Sequence, residues 1–163
     1  MPKLIILRGN SGSGKTTVSK ELQKRFGRNT MLISSDMIRM QILNAKDAEA
    51  LPLITELLKY GRLHSDITIL EGILPTEVYK PLFETAVKEY GAEIYAFYYD
   101  LPFEETLSRH STKPNRADFG EADMRRWWKE KDYIGSIPER TITEDMSLSD
   151  TVDMIYNRVK GFS

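Results

Sequence analysis

The octet Gly9-Asn10-Ser11-Gly12-Ser13-Gly14-Lys15-Thr16 stands one residue after the apolar run Leu4-Ile5-Ile6-Leu7, and this succession leaves the chain few ways to fold. A short run of large apolar residues reads as a buried strand. The residues after the octet have helical period, with Val18, Leu22 and Phe26 on one face. A strand, a tight glycine turn and a helix are therefore expected in that order. The three glycines let the turn curl until successive N–H groups converge where side chains would otherwise block an oxyanion. Lys15 adds a mobile positive charge, and the Thr16 hydroxyl suits a hard cation. The partly positive start of the helix points the same way. The pattern is that of a phosphate-binding P-loop, or Walker A motif. It predicts that Gly9, Asn10, Ser11, Gly12, Ser13, Gly14, Lys15, Thr16 and Thr17 surround the phosphates of ATP, with Thr16 on Mg2+.

Short β-rich runs alternate with helical segments along the rest of the chain, which predicts an α/β fold. The expectation is a three-layer, five-stranded parallel sheet with helices on both faces and a lid. The expected strands are Lys3 to Arg8, Thr30 to Ser35, Ile67 to Glu71, Glu93 to Tyr99 and Arg140 to Thr143. Leu51, Ile54, Leu57 and Leu58 repeat at helical spacing, and Val152, Ile155, Tyr156 and Val159 do so near the end. Gly27 and Gly61 are placed to end helices, while Pro75 and Pro102 are placed to open them. Ser111 to Gly120 is polar, carries Pro114 and Gly120 and has no apolar period, so it reads as a mobile loop before a helix from Glu121 to Lys131. The expected organisation is one domain over 1–163 with a lid over about 111–131. Methionines between Met31 and Met40 read as core filler.

In open parallel sheets, ligands gather beyond the carboxyl ends of the strands, so residues just after each strand carry most of the chemical information. After the second strand, Asp36 and Arg39 lie three apart in a first helical turn and share a face. A carboxylate there is suited to take a proton from an attacking hydroxyl, and the arginine to hold an anionic group; an N-capping aspartate beside a surface arginine is the plainer alternative. Glu71 closes the third strand where it would reach Mg2+ through water or touch a substrate hydroxyl. Arg109, Lys113, Arg116, Arg125 and Arg126 cluster around the polar loop, either as a flap over ATP or as ordinary solvated charge. Arg109 and Arg116 are the preferred flap members, Arg116 with a catalytic role. Adjacent Trp127 and Trp128 read as helix-packing residues, and neither His64 nor His110 has ligand spacing around it.

Charge and composition trim the alternatives. Lys and Arg number 23 against 24 acidic residues, a near-neutral balance that argues against nucleic acid as partner. The chain has no cysteine, hence no disulfide and no thiolate metal site. The opening apolar run is too short for a signal peptide or a membrane span, so a cytoplasmic protein without membrane partners, monomer or homodimer, is the expectation. A guanine-specifying N-K-x-D element is absent, and the one D-x-x-G, from Asp132 to Gly135, falls far beyond the third strand.

Together GNSGSGKTT, the Asp36/Arg39 pair and the Arg109-to-Arg126 region resemble the small P-loop kinases that include gluconate kinase, chloramphenicol phosphotransferase, zeta-type toxins and the kinase domain of phage polynucleotide kinase. The resemblance spans most of the chain. It implies an aspartate base at Asp36 and lid arginines on ATP, with Arg109 beside the adenine. Ile69 to Leu74 is also similar to a stretch of uridine kinases. The expectation is ATP-dependent phosphotransfer to a hydroxyl of a small-molecule acceptor. Polynucleotide 5′-hydroxyl phosphorylation, nucleotide-sugar phosphorylation of the zeta type and a non-enzymatic nucleotide switch are the rival readings.

Overall fold

The computed structural model describes residues 1–114 and 116–162. Five strands, β1 (Lys3–Gly9), β2 (Met31–Ser34), β3 (Ile67–Gly72), β4 (Ile94–Tyr99) and β5 (Glu139–Ile142), form one sheet in the order β2-β3-β1-β4-β5. Every neighbouring pair is parallel. The helices are α1 (Lys15–Phe26), α2 (Ser35–Met37) running into a π-helical turn at Ile38–Leu43, α3 (Asp47–His64), α4 (Thr76–Tyr90), α5 (Phe103–Ser111), α6 (Glu121–Trp127) and α7 (Leu148–Lys160). Alternation along β1 explains the layers. Leu4 and Ile6 join Ile54 and Leu58 of α3 and Leu82 and Phe83 of α4 on one face of the sheet. Ile5 and Leu7 join Val18 and Leu22 of α1 and Ile155 and Val159 of α7 on the other. With β1 central and buried on both faces, the loop that follows it emerges at the middle of the sheet's carboxyl edge.

Several expected boundaries shift for identifiable reasons. Strand β2 ends at Ser34 because Ser35 already opens α2, and the Ser34 hydroxyl accepts from the Met37 amide at 3.4 Å. Gly61 does not end a helix. It lies inside α3, where a Cβ would come within 2.2 Å of Thr68 Oγ1, so its lack of a side chain lets α3 lie against β3. Helix α6 stops at Trp127 instead of Lys131, because both backbone groups of Lys129 are bonded elsewhere, to the side chain of Asn10. The methionines do not all fill the core: Met37 and Met40 are exposed, at 37% and 66%. Trp128 meets Phe103 edge-on at 5.4 Å and Trp127 meets Phe119 at 5.1 Å, as packing residues do. No helix among the described residues is long and apolar enough to cross a membrane.

Candidate active site

Gly12 and Gly14 adopt φ values of 83° and 100°, the left-handed region where a side chain is strained. A Cβ on Gly12 would also lie 2.5 Å from the Thr106 carbonyl oxygen of α5. This backbone turns the chain from β1 into α1 within five residues and leaves the first amides of α1 at the strand end. The Asn10 carbonyl closes the turn, accepting from Ser13 Oγ at 2.6 Å and from Lys15 Nζ at 2.9 Å. Lys15 is buried, and that burial lowers its pKa against the opposing pull of the Glu71 and Asp36 carboxylates.

Thr16 Oγ1 donates to Glu71 Oε2 at 3.0 Å. Glu71 is itself buried in β3, beside Leu7 of β1 and Ser34 of β2. Burial raises its pKa, while Lys15 and the Ser34 and Thr16 hydroxyls draw it back. A threonine hydroxyl beside a carboxylate is a hard-oxygen pair, suited to Mg2+ that keeps most of its waters. The donor set and the glycine cradle therefore fit a magnesium-bound triphosphate.

A second group assembles beyond β2. Arg39 Nη2 donates to Asp36 Oδ1 at 2.7 Å, and Arg39 Nε lies 3.5 Å from Asp47 Oδ1 at the start of α3. Tyr79 of α4 donates its hydroxyl to the same Asp47 oxygen at 2.7 Å. Burial and this bond to Asp47 push the Tyr79 hydroxyl pKa well up, so it stays protonated and keeps its proton for Asp47. Glu71, bonded to Thr16, lies in register with Ser34 two residues before Asp36, which places this group and the P-loop on one edge of the sheet. Gly72 permits that approach, since a Cβ there would lie 2.0 Å from Ser35 Oγ.

The basic cluster divides in two. Arg109 Nη1 donates to the Ser13 carbonyl at 2.7 Å while its Nε holds Glu105, and Lys113 Nζ donates to Thr17 Oγ1 at 2.8 Å. Both line a cavity of about 450 Å³ with Ser13, Gly14, Thr17 and Tyr99. The Tyr99 hydroxyl is buried and has no partner among the described residues. Arg116 stays outside, exposed and bonded to the Lys113 carbonyl at 3.2 Å, and Arg125 and Arg126 pair with Glu121 and Asp123 on the surface of α6. His110, given no role by sequence, bonds the Phe119 carbonyl at 2.8 Å and stacks on its ring, fastening the loop between α5 and α6.

Two further groups escape a motif search. The Asn10 amide grips Lys129 twice, donating to its carbonyl at 2.6 Å and accepting from its N–H at 2.7 Å. Arg8, fully buried at the end of β1, bonds Glu139 at 2.9 Å, Asp132 at 3.2 Å and the Leu74 carbonyl at 3.0 Å. Asp132 also takes the amide and hydroxyl of Thr76. The displaced D-x-x-G thus supplies a partner for Arg8. The sequence signal was a charged residue at the end of an otherwise apolar strand.

Fold and edge together define a P-loop nucleotide-binding domain with the architecture of the small-molecule kinases. The chain belongs to the AAA domain family AAA_33, whose model matches residues 4–135. Its fold is similar to that of the Mycobacterium tuberculosis APS kinase CysC solved with AMPPNP and APS, at 18% identity over 98% of both chains and a TM-score of 0.69. A gluconokinase from Sinorhizobium meliloti is similar at 14% identity, over 98% of this chain and 93% of that one, with a TM-score of 0.65. Shikimate kinase from Acinetobacter baumannii, solved with shikimate, gives 17% identity over 99% and 94%, and a TM-score of 0.61. No curated protein matches the chain in sequence.

Proposed function

We propose that the protein transfers the γ-phosphoryl group of ATP to a hydroxyl of a small-molecule acceptor. The observation that carries this reading is the 3.0 Å bond from Thr16 to Glu71, which joins the P-loop helix to a strand end in register with Ser34, two residues before Asp36. One edge thus combines a phosphate cradle with a candidate proton acceptor. The named kinases of like fold support the same reading by analogy.

The backbone amides of the loop and Lys15 hold the phosphates and offset their charge. Thr16, with Glu71 through water, would hold Mg2+, which when bound draws negative charge away from the transferring group. Asp36 orients the acceptor hydroxyl and takes its proton. The hydroxyl oxygen bonds to the γ-phosphorus as the bond to the β–γ bridging oxygen breaks, and ADP leaves. Arg39 holds the Asp36 carboxylate in place. Arg109 and Lys113 anchor a lid over about 111–131 to the P-loop, and closure of that lid brings Arg116 toward the phosphates and excludes water.

The test is ADP formation with Mg2+ and ATP in fractionated pools of hydroxyl metabolites, followed by mass detection of a phosphorylated product. A phosphate monoester formed at the expense of ATP is the expected result. Tight ATP binding with no product from any pool, or transfer only to polynucleotide 5′ ends with steep salt dependence, would overturn the reading.

A further inference from the structure

The segment from α5 through α6 is held on the P-loop at its entry, its middle and its exit, by contacts of different kinds. At the entry Arg109 Nη1 donates to the Ser13 carbonyl at 2.7 Å and Lys113 Nζ to the Thr17 hydroxyl at 2.8 Å. In the middle, buried Met124 lies over Gly12, where a Cβ would come within 2.9 Å of its methyl carbon. At the exit the Asn10 side chain holds the backbone of Lys129 at 2.6 and 2.7 Å. The entry bonds come from flexible cations bonded to neutral oxygens, and a phosphate in the loop competes for such cations. The exit clasp matches one amide to one peptide group, donor to acceptor and acceptor to donor, and holds no charge for an anion to draw away.

Asn10 itself stands between phosphate and clasp. Its carbonyl accepts from Lys15 Nζ at 2.9 Å and from Ser13 Oγ at 2.6 Å, while its buried side chain reaches Lys129. A phosphate that draws the Lys15 ammonium to itself takes a partner from that carbonyl, so the Asn10 peptide group registers its arrival directly. Beyond Lys129 the chain is fixed. The Asp132 N–H donates to the Tyr98 hydroxyl at 3.0 Å, and the Asp132 carboxylate bonds Arg8 and both the amide and the hydroxyl of Thr76. On the near side α6 ends at Trp127, and Trp128 is already extended, with ψ of 131°. Any turn of α6 against the sheet therefore falls on Trp128.

We propose that Asn10 is a positioning residue: its side chain makes the Lys129 backbone a fixed post of the P-loop, on which α6 pivots at Trp128 when phosphate takes Lys15 and Lys113. The clasp persists while the entry bonds exchange. The moving part of the lid thus ends at Trp128, short of residue 131. This rests on the phosphotransfer reading above only for the nucleotide in the P-loop and the lid beside it, and takes nothing from the acceptor.

The chain's two tryptophans, Trp127 and Trp128, stand at that pivot and report on it. Their fluorescence is followed as ADP and Mg2+ are titrated into the full chain, with calorimetry on the same preparation to fix saturation. The parent chain should show a change in emission that tracks the calorimetric isotherm. Asn10→Ala, saturated with ADP, should lose most of that change. Lys129→Pro removes the N–H that bonds Asn10 and leaves the P-loop sequence intact; it should lose part of the change, and it keeps the test available if Asn10→Ala folds poorly. Lys129→Ala keeps both backbone groups and should behave as the parent does. Adding Lys129→Pro to Asn10→Ala should cost nothing further, since both act on one contact. A full emission change in saturated Asn10→Ala or Lys129→Pro, its loss in Lys129→Ala, or no change in the saturated parent overturns the proposal and leaves nucleotide binding standing. Failure of the parent to bind ADP overturns the phosphotransfer reading and the proposal together.

Discussion

The P-loop edge and the edge beyond β2 meet where Thr16, next to Lys15, bonds Glu71, yet they are built on different plans. The first has a local core: its turn, its lysine and its hydroxyl come from eight consecutive residues, and its bonds from Asn10 to Ser13 and Lys15 span three and five positions, with Arg109 and Lys113 added from 96 positions away. The second is assembled at a distance. Asp47 meets Tyr79 across 32 positions, Glu77 meets Lys129 across 52, and Arg8 meets Glu139 across 131. A local device has to recognise the same triphosphate in every protein that uses it. A distributed one can be altered a residue at a time, which suits the side that distinguishes acceptors.

The largest expected effect falls where the two plans meet. Lys15→Ala should lower ATP-dependent turnover by about a hundredfold to a thousandfold, as loss of a preorganised charge partner does elsewhere, and should weaken ATP binding in parallel; steady-state kinetics with a binding titration will show both. Next comes the long-range clasp. Asn10→Ala removes two bonds to Lys129 while keeping the Asn10 carbonyl that closes the turn, and should cost about 1–3 kcal/mol in chemical denaturation. Asn10→Asp keeps the acceptor half of the clasp but sets a buried carboxylate oxygen against the Lys129 carbonyl, and should lose at least as much.

A smaller, pH-dependent effect separates folding from binding at Glu71. Its pKa is raised by burial above the ordinary 4.5, so between those values the folded chain binds a proton that the unfolded chain does not. Stability of the ligand-free protein should therefore rise as pH falls through this window, while magnesium-dependent ATP binding, which under the proposed function uses the carboxylate, should decline. Glu71→Gln should flatten both trends in thermal melts and titrations run from pH 4 to 7. The smallest effect belongs to the outer basic residues: Arg126→Ala, whose partner Asp123 lies on the same exposed helix, should leave both turnover and melting temperature unchanged.

The same contrast explains what could be read from the chain. The P-loop turn, the α/β layers implied by β-rich runs alternating with helical ones and the Asp36–Arg39 pair were legible because each is a pattern of neighbours. Arg8 with Asp132, Asn10 with Lys129 and Asp47 with Tyr79 were not, because only the folded topology brings them together. Met37 and Met40 misled for a related reason: apolar composition does not say which side of a short turn faces solvent. The early end of α6 was hidden as well, since helical propensity takes no account of an asparagine that captures a backbone amide 119 positions away.

The central claim is that the donor is held by the local edge and the proton is taken by the distributed one. Asp36→Asn tests it most directly when ATP affinity and phosphoryl transfer to the identified acceptor are measured on the same preparation. ATP affinity should stay close to that of the parent chain while transfer falls by about a hundredfold or more. Full transfer by the Asp36→Asn protein would contradict the account.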